Sequence, residues 1–320
     1  MLRAGIVATL LLPLISGACK RAQPLSASPT ESPRQKMIRE IQEFGRTSGF
    51  EATGSFSRHD QNRQAFYRCY YAEKLRLPDS YDGLKVKDGT AQGCDVDERK
   101  YDVFFYAIEA VASPKTPTTE SLDEASAERL AVVVSHEEFH QQKPIRRLPV
   151  TVEEASATLV GFLTAAEYAR AAYGEDSSFY RNLSLEAGIF LKKAETVNRF
   201  HGRLRILYQS VAAGRISKAA AISEKLRLFE ELQRACQAIT PDPASFNECP
   251  AAMNNAGLAF DHSYSKHYAL LYRLAMDHGK NLPSLVDTLQ GLPAARGWTE
   301  EEAVTYLEGL LKRRPAIPAG

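Results

Sequence analysis

The chain has 320 residues, 44% of them hydrophobic and 25% charged, enough for one large domain or two modest ones with a real core. Its net charge of +1 excludes the basic field of a nucleic-acid-binding protein and a polybasic membrane patch.

The chain opens with an expected export signal. "MLR" is a short basic start, and "AGIVATLLLPLI" is an apolar core too short to span a bilayer. "SGAC" follows, with small residues before Cys19. The segment resembles a bacterial lipoprotein signal, although Ser16 stands where that pattern usually has Leu, Val or Ile. The pattern implies a lipid on Cys19, which becomes the new N-terminus. Cleavage after Ala18 is the alternative, because Ser-Gly-Ala also suits an ordinary signal peptidase site. The next stretch, "KRAQPLSASPTESPRQ", is rich in Pro, Ser and charge and reads as a flexible tether. The expected organisation is a signal over 1–19, a tether over 20–34 and a single domain over 35–320. The expected location is the bacterial periplasm, with the lipid at Cys19 as membrane anchor in either the inner or the outer membrane.

Five cysteines are present, and setting Cys19 aside leaves Cys69, Cys94, Cys236 and Cys249. An even number in an exported chain permits two disulfides. Three connectivities are possible. The local ones, Cys69–Cys94 and Cys236–Cys249, are preferred, and four buried thiols are the alternative.

Along the body, Met37, Ile38, Ile41 and Phe44 fall at helical spacing. "RQAFYRCYYAEKL" and "KYDVFFYAIEAV" are rich in aromatic and β-branched residues and predict strands, with turn chemistry between them in "PDSYDG" and "KDGTAQG". Residues 50–110 are therefore the β-rich part, and 120–314 read as helical. One helix is expected from Ser121, where Ser121 and Glu124 form a capping box, to just before Pro144. A second ends at Gly174. An antiparallel hairpin follows, broken at "AAGRIS", then a long helix from about Ala251 to His278 and a last one in "TEEEAVTYLEGLLKRR". Strands first and helices later predict an α+β fold, mostly helical.

"VVVSHEEFHQQ" carries the chemistry. His136 and His140 are four apart, so a helix stacks both imidazoles on one face. Glu137 lies about 100° round, within reach of a water on a metal held by the histidines. Two metal ligands and a general base on one helix are what a zinc hydrolase needs. Glu138 lies about 200° from His136, a position that solvent can take.

A third ligand is required, and the extended motif is absent because Lys143 and Arg146 occupy its Gly and His positions. The next helix offers Glu153 and Glu154. Glu154, Thr158, Gly161 and Ala165 form a flank of mostly small residues that lets another helix come close, and Glu153 points away from it. Glu154 is thus the candidate third ligand, with Thr158 one turn on as a support for a ligand. A second reading of Glu154 stays open, because Thr151 to Glu154 is also a capping box. His59, His201, His262, His267 and His278 show no metal spacing.

"SHEEFHQQ", "EEASATLVG" and "MNNAGLAFDHSYSKHYALLY" together resemble the putative bacterial aminopeptidase family, zinc peptidases of gluzincin type, over roughly residues 100–290. In this chain Glu153 replaces the family's Asn, and Ala155-Ser156 replaces Ser-Phe. The resemblance implies a zincin-like helical body with the metal site between two helices. It implies one Zn2+ on His136, His140 and Glu154, with Glu137 as base. Asn254, Asn255 and Tyr264 match its N-N-A segment, which makes the two asparagines substrate-side candidates and Tyr264 the candidate oxyanion donor. Asn254, Asp261, Ser265 and Tyr268 share one face of the late helix, with Tyr264 at its edge, and capping groups with a packed aromatic are the alternative reading of these residues.

The expected function is a membrane-tethered zinc peptidase acting on a peptide or protein substrate, with no nucleic-acid partner. A non-catalytic lipoprotein scaffold with a structural or vestigial metal site is the alternative. An exopeptidase also needs an acid for the substrate's free amine, and Asp102, Glu109 and Asp261 are undistinguished candidates.

Overall fold

The computed structural model describes residues 32–313 except 59, 61–62, 112, 114–115, 240–248, 250–252 and 294–296. The signal segment, Cys19, the tether to residue 31 and His59 lie outside the described residues.

The chain from Pro33 onward is one compact unit. Helix α1 (Pro33–Thr47) buries Met37, Ile38 and Ile41, the stripe its spacing predicts. Strands β1 (Phe66–Glu73), β2 (Lys85–Asp88) and β3 (Tyr101–Ile108) form one antiparallel sheet in the order β2-β1-β3. Cys69 stands opposite both Lys87 and Phe105. The first and last strands in the chain, β1 and β3, are as predicted. β2 is an addition, hidden because "KVKD" is polar and fully exposed, with no buried face to mark it. The disulfides Cys69–Cys94 and Cys236–Cys249 are both formed, with Cα separations of 5.7 and 5.4 Å.

The predicted helix from Ser121 is two helices, α2 (Glu120–Glu124) and α3 (Ala127–His140). Extended backbone at Ala125 breaks them. Thr119 caps the first and Ser126 the second, accepting from the Arg129 N–H, while the Ser121 hydroxyl bonds the Gln64 carbonyl instead of capping. Helix α4 (Val150–Tyr173) is buried almost all round because its small apolar residues are surrounded by other helices. It stops at Gly174, whose φ of +83° suits glycine.

Helices α5 (Ser178–Ala212) and α6 (Lys218–Gln237) make the expected hairpin around Gly214. Val197, Phe200 and Leu204 pack there on Leu228, Phe229 and Leu232. The single helix expected over 251–278 is instead α7 (Asn255–Ser265) and α8 (Tyr268–Asp277). They part at Lys266 and His267, both of which pair with Glu300. α9 (Leu282–Gln290) and α10 (Glu300–Arg313) finish the chain. The architecture is therefore α+β and mostly helical, with α4 at its centre and the sheet laid on α7. Phe260 of α7 is the seam, its ring 4.8 Å from Phe104, 4.9 Å from Tyr106 and 5.2 Å from Tyr70. No helix among the described residues is long and apolar enough to cross a membrane.

Candidate metal centre

α3 and α4 are joined by a short turn and pack against each other. Gly161 sets how closely. A Cβ there would stand 3.2 Å from both the Cβ and the backbone N of His136. The small-residue flank thus brings α4 against the histidine helix, as its composition predicts.

Three ligand atoms converge at this contact. His136 Nε2 and His140 Nε2 are 2.9 Å apart, and Glu154 Oε2 lies 3.2 Å from His140 Nε2 and 3.4 Å from His136 Nε2. A tetrahedral zinc with bonds of about 2.0–2.1 Å has ligand–ligand edges of about 3.3 Å, so the triangle has the right size. The two imidazole planes cross at 75°, so their in-plane lone pairs can meet at one point. Two imidazoles and one carboxylate are also the donor set zinc prefers in sites that keep an open position. The residues present fit zinc.

The surroundings hold these atoms in place. Glu153 Oε1 accepts from His140 Nδ1 at 2.8 Å, which orients the ring and leaves Nε2 directed at the centre. Glu153 therefore does not point away from the site. At the start of α4 it faces the last turn of α3. The Tyr81 hydroxyl donates to Glu154 Oε1 at 2.6 Å, on the oxygen opposite the one that faces the histidines. Thr158 does not provide this support, since its hydroxyl is fully buried and meets no hydrogen-bond partner among the described residues. The capping reading of Glu154 also fails, because α4 begins from Pro149 with no side-chain cap.

Electrostatics couple the three groups: burial would lower the His140 imidazole, but Glu154 and Glu153 beside it hold it well above its usual range. Burial would raise the Glu154 carboxyl, but His140 beside it, with hydrogen bonds from both rings, holds it well below the usual range. Burial and the charge of His140 lower His136, keeping a ring nitrogen unprotonated. Burial, with Glu154 next, pushes the Tyr81 phenol up, and the same two causes act on Tyr264. Both hydroxyls stay protonated donors.

A cleft of about 350 Å³ opens over the centre, lined by Glu137 and Tyr264 together with the ligands. The Tyr264 ring centroid is 6.2 Å from that of His136. Tyr70, Tyr81, Tyr106 and Phe260 supply an aromatic wall. Glu138 is elsewhere and is not solvated. It is buried under α1 and accepts from Gln42 and Thr53, each at 2.7 Å.

Asn254 and Asn255 do not face the cleft. Asn254 caps α7 by accepting from the Gly257 N–H and donates to the Val103 carbonyl. Asn255 donates to the Lys74 and Arg76 carbonyls and accepts from the Tyr208 hydroxyl. They fasten α7 to the sheet. On the same helix, Asp261 is buried against Lys193 at 3.1 Å, and Tyr268 of α8 donates to the Ala187 carbonyl. That face is packing, and the adjoining one carries Phe260 and Tyr264 to the cleft.

A second group, Asp79, His201 and His262, also draws together, although its histidines have no local spacing. It does not fit one ion. The rings of His201 and His262 are stacked with centroids 3.6 Å apart and planes 2° from parallel, so no point lies in both ring planes. His201 instead bonds the Pro78 carbonyl at 3.1 Å and His262 the Asp79 carbonyl at 2.7 Å. The pair grips the segment that carries Tyr81, whose N–H donates to Ser263.

Tyr81 and the role of Glu153 escape sequence reading. Tyr81 sits in "PDSYDG", where only turn chemistry is visible, some seventy residues before the carboxylate it binds.

No curated protein and no solved structure matches the chain. The model of one family, described as "Putative aminopeptidase", matches residues 96–304. The match takes in α3, α4 and α7, and with them all three converging ligands, Glu137 and Tyr264. It covers well over half of the sequence, and the chain belongs to that putative aminopeptidase family.

Proposed function

We propose that this protein is a zinc-dependent peptidase, exported and held at a bacterial membrane by a lipid on Cys19. Family membership supports peptidase activity. One observation carries the zinc reading, the convergence of His136, His140 and Glu154 within 3.4 Å of one another beneath a cleft that Glu137 lines. Two disulfides suit an oxidising compartment and so support export.

Bound zinc would polarise the scissile carbonyl and make an attacking water more acidic. Glu137 accepts that water's proton and delivers it to the leaving nitrogen. Tyr264, kept protonated by its burial, donates to the developing oxyanion. Glu153 and Tyr81 fix the orientations of His140 and Glu154. β3 is an edge of the sheet, and Tyr106, Ile108 and the residues just after it line the cleft, where an extended peptide can lie alongside.

The test is metal content and peptide hydrolysis of the full chain beside His136→Ala, Glu154→Ala and Glu137→Gln. The expected result is one zinc per chain, lost in the first two variants. Glu137→Gln keeps the metal and the fold and loses at least about a hundredfold in rate. A wild-type chain that takes up no zinc after reconstitution would overturn the proposal. So would Glu137→Gln hydrolysing peptides like wild type.

A further inference from the structure

The charged groups around the cleft are unevenly matched. Four carboxylates line it, Glu109, Glu137, Glu153 and Glu154. Glu154 is turned to the metal centre, Glu153 holds His140, and Glu109 accepts from Arg129 Nε at 2.7 Å. Glu137 is the base. The other two acids that an amine could use, Asp102 and Asp261, are buried against Lys225 and Lys193 and do not reach the cleft. Among the described residues, each carboxylate lining the cleft already has a partner or a role.

The cations differ. Arg129 is committed to Glu109, but the Arg146 side chain makes no ion pair or hydrogen bond with any other described residue. Its neighbour Lys143 pairs with Glu51. Arg146 is nevertheless well placed. It lies on a 3-10 turn, Ile145–Arg147, directly after the histidine helix. Ile145 is fully buried, Leu148 is buried, and the Arg146 N–H bonds the Gln142 carbonyl, so the backbone beneath the guanidinium is fixed. A planar fork with five donors, anchored at its base and facing a cleft, fits a carboxylate better than any other peptide group.

We propose that Arg146 binds a carboxylate of the substrate beside the metal centre, so that this site selects peptides by an anion. The inference rests on the peptidase reading for the identity of the ligand as a peptide. An acidic side chain next to the scissile bond and the α-carboxylate of a short peptide present the same chemistry, and the experiment separates them.

Binding is measured by calorimetry on the zinc-loaded full chain carrying Glu137→Gln, so that no turnover intervenes. The probes are Ala-Phe-Glu-Ala, Ala-Phe-Gln-Ala and the C-terminal amides of both. The expected result is that removing one of the two carboxylates weakens binding about 10- to 100-fold, the range of a charge-assisted pair. Loss on Glu→Gln identifies the side chain as the source, and loss on amidation identifies the terminus. Adding Arg146→Ala abolishes the preference, Arg146→Lys keeps a reduced one, and Lys143→Ala leaves it intact. Equal binding of all four peptides, no binding of any, or a preference that survives Arg146→Ala would overturn the proposal. Hydrolysis of the same peptides by the chain with Glu137 intact is scored separately. Carboxylate-selective binding without hydrolysis would sink the peptidase reading alone, and hydrolysis without selectivity would sink the role of Arg146 alone.

Discussion

Gly161→Ala is the sharpest perturbation of the α3–α4 contact. In an ordinary helix interior, replacing glycine by alanine stabilises by about 0.5–1 kcal/mol, because the unfolded chain loses freedom. Gly202 of α5 is such a site, with nothing within 4 Å of an added Cβ, and Gly202→Ala should gain that amount. At Gly161 the same methyl meets the N, Cα and Cβ of His136 at 3.2–3.3 Å. None of these atoms can rotate away, so the helices must part by a few tenths of an ångström. Overpacking of this kind costs about 1–3 kcal/mol, which leaves a net loss of roughly 0–2 kcal/mol after the helix gain. The separation also acts on the metal site. His136 and His140 move together on α3, so the 2.9 Å edge is kept while the 3.2 and 3.4 Å edges to Glu154 on α4 lengthen. Zinc affinity should fall about tenfold or more, since a site of this size tolerates errors of only about 0.2 Å. Urea unfolding in chelator measures the first effect, and zinc competition with a chromophoric chelator measures the second. If Gly161→Ala stabilises as much as Gly202→Ala and holds zinc as well as wild type, the close approach is not what the glycine is for.

Tyr81→Phe removes the 2.6 Å hydrogen bond to Glu154 Oε1 and should weaken zinc about tenfold with the fold intact, and unchanged affinity in the same competition assay would refute its supporting role. Asn255→Ala strips three buried hydrogen bonds at the junction of α7 and the sheet and should cost about 2–4 kcal/mol in urea unfolding. Full stability with lost hydrolysis would make Asn255 a substrate contact instead. Burial, followed by the charge of His201, depresses His262 to about 3, with Lys266 and Asp79 also facing the pair. The unfolded histidine binds its proton near pH 6.5, so stability is full above that pH and declines as pH falls from about 6.5 toward 3. At pH 5 the loss from His262 alone is about 2 kcal/mol. His262→Gln should flatten the unfolding free energy between pH 7.5 and 5 by that amount, and an equal slope in variant and wild type would show that the stacked pair is not held neutral.

The helical body was legible because its segments carry one-sided patterns. The α1 stripe, the α5–α6 hairpin with its glycine break, and the end of α4 at Gly174 follow from local spacing and turn chemistry. The errors have tertiary causes. "KVKD" became a strand by pairing with β1, although neither of its faces is buried. The late helix splits where Lys266 and His267 meet Glu300, some thirty residues further on. Glu138, polar and well round the wheel from His136, looked solvated until α1 and the 51–55 segment covered it with Gln42 and Thr53. In each case the deciding partner is far away in sequence.

The same division runs through the metal centre. The three side chains that converge there come from two helices joined by a short turn, so helical period and a stripe of small residues suffice to bring them together on paper. The groups that hold the ligands do not share a period. Glu153 was misassigned because a helical wheel describes one isolated helix, and the turn folds the last residues of α3 back over the first turn of α4, within 2.8 Å of that carboxylate. Tyr81 arrives from the segment before β2, gripped by His201 of α5 and His262 of α7 through the neighbouring carbonyls. This gives three distant elements a common task. α5 and α7 fix the 78–81 segment, that segment fixes Glu154, and Glu154 completes the triangle with α3. A change in the α5–α7 contact should therefore reach the metal through Tyr81 without touching a ligand. Metal affinity in His262→Gln should fall in wild-type background and be unaffected once Tyr81 is already Phe.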